Sequence, residues 1–298
     1  MKKLISDTTA FFDETACKLC PIECGANRKT GVGACASDGL RIAKYYLHPF
    51  EEPCISFKNG SGTIFFSGCS LRCVFCQNYE VSRAERGKKI TPQSLADIFK
   101  ELEDKGADNI SLVTAGHLIP YLLPAFELYQ PKIPVVYNSG GYEKLSTIKL
   151  IDPFIDIYLP DVKFFSPALS KRYTGRENYF AVASETVSFM AKQPLVMTDE
   201  GQMLSGCIVR HLVMPMCSND TRAVLKWFAS ELPKSTYLSL MSQYTPFGKI
   251  ENYPELNRGI TPREYRAALD CANELGITNL FAQELTSKGE RFIPQWDF

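Results

Sequence analysis

Residues 63–79, Thr-Ile-Phe-Phe-Ser-Gly-Cys-Ser-Leu-Arg-Cys-Val-Phe-Cys-Gln-Asn-Tyr, constrain this chain more than any other stretch. An apolar run of strand character ends in three cysteines spaced Cys69-x3-Cys73-x2-Cys76, which read as the loop after the strand. Three soft thiolates on one loop suit three corners of a 4Fe-4S cluster, and with no fourth cysteine at ligand spacing the last iron stays open to a substrate. Zinc fits less well, because structural zinc takes four ligands, usually in two paired knuckles.

The spacing, Phe75 just before the third cysteine and the preceding strand resemble the radical S-adenosylmethionine (SAM) superfamily, in particular the branch of pyruvate formate-lyase activating enzyme. The resemblance implies that the open iron chelates the amino and carboxylate groups of SAM. One electron from the cluster then cleaves SAM to methionine and a 5'-deoxyadenosyl radical, which abstracts a substrate hydrogen. It also implies a low-potential electron donor of flavodoxin or ferredoxin type. A glycyl radical enzyme is the kind of protein substrate this branch acts on.

A chain of 298 residues with 45% hydrophobic residues has room for one large α/β domain and a small appendage. Lys plus Arg and Asp plus Glu both number 33, so no overall field favours nucleic acid or an acidic membrane surface. The start, Met-Lys-Lys-Leu-Ile-Ser-Asp, lacks the apolar stretch of roughly 7 to 15 residues of a signal peptide, and no run approaches the roughly 20 residues of a membrane span. Eleven cysteines without a secretion signal point to metal ligands in a reducing compartment, and so to the cytoplasm.

Residues 1–58 hold five of those cysteines, four of them in Cys17-x2-Cys20-x3-Cys24-x10-Cys35, with Gly25, Gly31 and Gly33 for tight turns. Four thiolates at this spacing suit zinc or an iron–sulfur cluster, and a segment so poor in periodic apolar residues needs a staple to be ordered. We therefore expect a Cys-rich metal-binding extension over 1–58. The following His48-Pro49-Phe50-Glu51-Glu52-Pro53 reads as a solvated linker, with a second reading in which His48 and Glu51 face the cluster.

Beyond the cysteine loop, helix-period and strand-like segments alternate, the pattern of a parallel sheet with crossover helices. Strands are expected near 109–114, 135–137, 155–159, 207–214, 237–240 and 279–282. Helices are expected after Thr91-Pro92, up to about 129, near 142–150, 178–192 and 219–231, and from Thr261-Pro262 to Gly276. Six or seven parallel strands imply an open, partial (β/α)6-type barrel over residues 59–298, the architecture the resemblance also implies.

Ligands of parallel α/β sheets sit at the carboxyl ends of the strands. After the second strand comes Thr114-Ala115-Gly116-His117, where activating enzymes carry a Gly-Gly-Glu segment for the SAM amino group. That departure leaves Thr114 with backbone carbonyls, or His117, for the ammonium, or else His117 as a helix-start residue pointing at solvent. Asn138-Ser139-Gly140-Gly141-Tyr142 is similar to the family segment lining the ribose and carboxylate of SAM. Asp161 and Lys163 share a strand face, so their opposite charges match the zwitterionic head of an amino acid, or else pair with each other. Arg210 and His211 point to opposite faces, and the resemblance places Arg210 inward as a carboxylate clamp.

Lys163 and Arg210 are thus the catalytic candidates. Phe75, Thr114, His117, Asn138, Ser139, Gly140 and Asp161 join them as cofactor-binding candidates. Cys54, Cys207, Cys217 and Cys271 read as small buried hydrophobes, and Gln243 stands where activating enzymes carry a histidine. The activity expected is SAM cleavage in an activating-enzyme-like protein. A free-standing enzyme acting on a metabolite, peptide or other macromolecule is the alternative, and a non-catalytic iron–sulfur or zinc scaffold the third reading.

Overall fold

The computed structural model describes residues 12–83, 87–247 and 250–283. In chain order its elements are β1 (Arg41–His48), β2 (Ser61–Phe66), α1 (Tyr79–Arg83), β3 (Lys88–Lys89), α2 (Pro92–Asp104), β4 (Ile110–Val113), α3 (Ile119–Leu128), β5 (Val135–Ser139) and α4 (Leu145–Ile151). There follow β6 (Ile157–Pro160), α5 (Pro167–Thr174), α6 (Tyr179–Met190), β7 (Val196–Met197), β8 (Met203–Leu212), α7 (Ser218–Glu231), β9 (Tyr237–Met241), α8 (Pro262–Glu274) and β10 (Leu280–Ala282).

One sheet organises them in the order β10-β9-β8-β6-β5-β4-β2-β1-β3, with β7 paired to β8. From β2 to β10 the seven strands along this path are parallel, each pair joined through helical crossovers. Strands β2, β4, β5 and β6 are buried along their whole length, which is why their sequences read as apolar runs rather than as alternation. Among the described residues the two edge strands do not meet, so the barrel is partial and open.

The helices form for reasons visible in their termini. Thr91 caps α2 by accepting from Ser94 N–H, Pro92 occupies the first turn, and Leu95, Ile98, Phe99 and Leu102 bury one stripe. A reciprocal Thr261–Glu264 capping box starts α8, and Gly276, at φ 68°, follows its end. Phe99, Phe126 and Phe154 stack in series at 5.1 and 5.0 Å between α2, α3 and the turn after α4.

Residues 12–40 carry no helix or strand and run as hydrogen-bonded turns. The next residues, β1, pair antiparallel with β2 from Ile42↔Phe66 to His48↔Ser61. The expected strands and long helices are present within a few residues of their expected bounds. Strands β1, β3 and β7 and the short helices α1 and α5 are additions to the sequence reading. Among the described residues no helix is long and apolar enough to cross a membrane.

Candidate active site

The carboxyl ends of the parallel strands surround a cavity of about 230 Å3. The loop after β2 supplies Cys69, Cys73, Cys76 and Phe75, and Thr114 follows β4. Strand β5 brings Asn138 and Ser139 with Gly140 just after it, Asp161 and Lys163 follow β6, and β8 brings Arg210. Met241 and Gln243 close the β9 side, while His48, Phe50 and Glu51 reach in from the β1–β2 connection.

The cysteine loop is tied down along its length. Gly68 N–H donates to Val81 C=O, Val74 N–H to Tyr173 C=O, and the Arg83 guanidinium to Arg72 C=O. Phe75 meets Phe164 and Tyr173 edge to face at 5.9 and 6.4 Å. Backbone N–H groups of Leu71 and Arg72 point at the Cys69 sulfur, and Asn78 N–H with the Ser82 hydroxyl at the Cys76 sulfur. Such donors suit thiolates. Burial pushes the Cys69 thiol up to about 11, so a bound metal has to displace the proton.

Three thiols on one wall, with donors aimed at two of them, fit a 4Fe-4S cluster held by Cys69, Cys73 and Cys76. Among the described residues no three Cys, His, Asp or Glu side chains close around a point that would hold a single metal ion.

Opposite the cysteines lies a charged network. Arg210 donates through Nε to Asp161 Oδ1 at 2.8 Å, through Nη2 to Asn138 Oδ1 at 2.6 Å and through Nη1 to Glu51 Oε2 at 3.4 Å. Lys163 Nζ donates to Asp161 Oδ2 at 2.5 Å. Burial pushes the Asp161 carboxyl up, but Arg210 and Lys163 outweigh it and hold the group below its usual range. For Glu51 burial wins over Arg210, and its carboxyl is raised. Asp161 and Lys163 therefore pair with each other as well as facing the cavity, and Arg210 is engaged by three side chains rather than free.

The backbone at these strand ends is locked by one hydroxyl. Tyr179, fully buried on α6, accepts from Lys163 N–H at 2.9 Å and lies 2.9 Å from the carbonyls of both Gly140 and Asp161. Gly141, at φ +78°, passes so close that a Cβ would stand 2.3 Å from Asp161 O. Thr114 is held at φ 62°, an uncommon conformation for a β-branched residue, where it lines the cavity.

His117 is not brought to the cavity, nor does it point to solvent. It is buried behind the cysteine loop, its Nε2–H donating to Ser67 C=O at 2.9 Å. Burial, with Arg28 nearby, drops its pKa to about 4, so it is neutral. His211 packs on the far side of β8, donating from Nδ1 to Val162 C=O and meeting Thr221 Oγ1 through Nε2. Cys54, Cys207, Cys217 and Cys271 are buried and do not line the cavity. Cys17, Cys20, Cys24 and Cys35 lie outside it too.

Two acids matter more than their sequence context suggested. Glu51 belongs to the cavity wall rather than to a solvated linker, and two consecutive acids ahead of Pro53 were the available signal. Glu143, beyond the Gly140-Gly141 turn, is buried and accepts from Ser139 Oγ at 3.1 Å. Burial raises its pKa to about 7.

Residues 63–193 match the sequence profile described as Radical SAM superfamily. An uncharacterized protein of Methanocaldococcus jannaschii is 31% identical over 275 residues, covering 89% of this chain and 76% of that one. Among solved structures, SuiB of Streptococcus suis bound to S-adenosylmethionine aligns with TM-score 0.50 and 14% identity over 72% of this chain, a likeness of fold. The chain spans about half of SuiB, the alignment covering 47% of it. A domain of pyruvate-formate lyase-activating enzyme from Bacteroides vulgatus aligns at TM-score 0.38 and 11% identity, covering 65% of this chain and 91% of that domain, too distant to bear on activity. Profile, relative and a partial barrel with its cysteine loop at the strand ends agree, and the chain belongs to the radical SAM superfamily, whose members use a 4Fe-4S cluster and SAM.

Proposed function

We propose that this enzyme binds SAM against Cys69, Cys73 and Cys76 and abstracts hydrogen from a segment of a macromolecular partner, in the manner of an activating enzyme. When loaded, the cluster supplies the single electron that cleaves SAM, drawn from a low-potential donor of flavodoxin or ferredoxin type. The protein's own part is positioning and water exclusion. Asp161 and Asn138 offer acceptors and Lys163 a cation at the strand ends, where an amino-acid head with both charges is matched. Thr114 and Ser139 add hydroxyls, and Leu71, Phe75, Leu212 and Met241 make the remaining wall apolar.

The size and mouth of the cavity carry the substrate reading. At about 230 Å3 it falls below the roughly 300 to 1,000 Å3 of ordinary ligand pockets, leaving little room for a second enclosed molecule beside SAM. Phe50 lines it and is 55% exposed, so the cavity reaches the surface at an aromatic residue able to receive a chain segment. A glycine-bearing loop fits such a mouth. The buried Glu51–Arg210–Asp161 network favours the second reading, a small polar metabolite recognised by fixed charges.

The test is fractionation. Reduced enzyme and SAM are mixed with the low-mass or the macromolecular fraction of an extract from the source cells, and 5'-deoxyadenosine is followed. We expect acceleration, with a protein-borne radical by electron paramagnetic resonance (EPR), from the macromolecular fraction alone. Acceleration confined to the low-mass fraction would replace this reading with the metabolite enzyme.

A further inference from the structure

The turns of residues 12–40 gather four cysteines that the cavity does not use. Cys17 N–H donates to Ala26 C=O and Gly25 N–H to Cys17 C=O, both at 3.0 Å, folding the first part of the loop back on itself. A Cβ on Gly33 would lie 3.4 Å from Cys35 Sγ and 3.6 Å from Cys24 Sγ, so both sulfurs flank one glycine. Cys17 and Cys35 are in turn electrostatic neighbours of Cys20. All four are free thiols, three of them buried and Cys24 exposed.

Arg28 supplies an independent observation. Its side chain is buried at 5% exposure, donating through Nη2 to Cys35 Sγ at 3.1 Å and through Nη1 to His117 C=O at 2.8 Å. Tyr121 and the Phe12 ring flank it, the Glu14 carboxylate accepts from the Tyr121 hydroxyl at 3.1 Å, and Arg28 Nε is buried with no hydrogen-bond partner; among the described residues no carboxylate forms a salt bridge with the guanidinium. A buried guanidinium requires a counter-charge. A neutral thiol does not provide one, whereas a metal-bound thiolate does.

The kind of metal follows from spacing. Structural zinc usually takes its four ligands from two paired knuckles, whereas Cys17-x2-Cys20-x3-Cys24-x10-Cys35 has one such pair, and four soft thiolates also suit an iron–sulfur cluster.

We propose that Cys17, Cys20, Cys24 and Cys35 hold a second iron–sulfur cluster, seated directly behind the first. Cys35 C=O accepts from Cys69 N–H at 2.9 Å, and Gly68 is required there because a Cβ would stand 2.6 Å from that same oxygen. Arg28 reaches the other side through His117, whose ring holds Ser67 C=O. Four protein thiolates leave no iron open, so this centre does not bind SAM. Its place makes it a support for the residue that anchors the catalytic loop, whichever substrate that loop serves.

The test is metal content of the full chain, reconstituted anaerobically. The Cys69→Ala/Cys73→Ala/Cys76→Ala variant is expected to retain about four iron atoms and matching sulfide per chain, lost when Cys20→Ala and Cys35→Ala are added. About one zinc and no iron in the triple variant overturns the cluster assignment, and loss of all metal overturns the site. The wild-type chain gives the same decision should the variants fail to fold. About eight iron atoms, with SAM altering the EPR signal of one reduced cluster and not the other, support the proposal, and about four contradict it.

Discussion

Replacing Tyr179 with Phe removes one oxygen and tests whether the strand ends are held as described. The ring remains, stacked on Tyr142 at 6.1 Å, so packing is conserved. What disappears is the hydroxyl that accepts from Lys163 N–H and serves as a donor shared between Gly140 C=O and Asp161 C=O. A buried donor left unsatisfied costs about 1–3 kcal/mol, and the carbonyls add less because they tolerate under-satisfaction better. We expect a loss of about 2 kcal/mol, read as a lower urea midpoint at unchanged slope by circular dichroism of the chain before iron is loaded. Because the freed backbone carries Gly140, Asp161 and Lys163, SAM affinity of the reconstituted protein should weaken several-fold. Stability within about 0.5 kcal/mol of wild type, together with unchanged SAM affinity, would refute the lock.

Two further variants probe the charges. Arg210→Gln leaves Asp161 and Glu51 without their shared cation, and should cost about 3–5 kcal/mol in the same denaturation assay; adding Glu51→Gln should restore part of it, and strict additivity would mean that the two residues do not interact. Glu143 is raised by burial from 4.5 to about 7, so its share of stability is fully present below about pH 4.5 and is lost as pH rises through about 7. At about 1.4 kcal/mol per pH unit the loss is about 3 kcal/mol. Glu143→Gln should therefore gain on wild type by that amount between pH 4.5 and 8, and parallel stability profiles would show that the carboxyl is ordinary.

The sheet was legible because its chemistry is local. Each parallel strand is buried on both faces and so appears as an apolar run, and α2 and α8 announce their starts with Thr-Pro caps. The cysteine loop was equally readable, since its three thiols lie within eight residues. Strand β1 was not: in Arg41–His48 charged and aromatic residues are mixed, and its pairing is fixed by β2 across the intervening turn. Helix α5 has a cap in Ser166 and Pro167 but only eight residues, too short for a periodic face.

The site divides along the same line. Strand-end position, joined for Asn138, Asp161, Lys163 and Arg210 by the family resemblance, pointed to residues that line the cavity together with Thr114. The Asp161–Lys163 pair was one of two readings open to the sequence, but Arg210 meets Glu51 across 159 positions and no local pattern encodes that contact. His117 failed for a related reason. A histidine after a strand end has two directions available, and the carbonyl of Ser67, 50 residues earlier, decides between them.

The central claim is SAM cleavage at the Cys69, Cys73 and Cys76 loop. Its most direct test is anaerobic: iron is reconstituted, dithionite and SAM are added, and 5'-deoxyadenosine and methionine are quantified by mass spectrometry for wild type and Cys73→Ala. The account predicts both products in equal amounts from wild type and neither from the variant, which should stay folded by circular dichroism. Equal cleavage by the variant, or a wild-type cluster that is intact and reducible yet neither binds nor cleaves SAM, would contradict it.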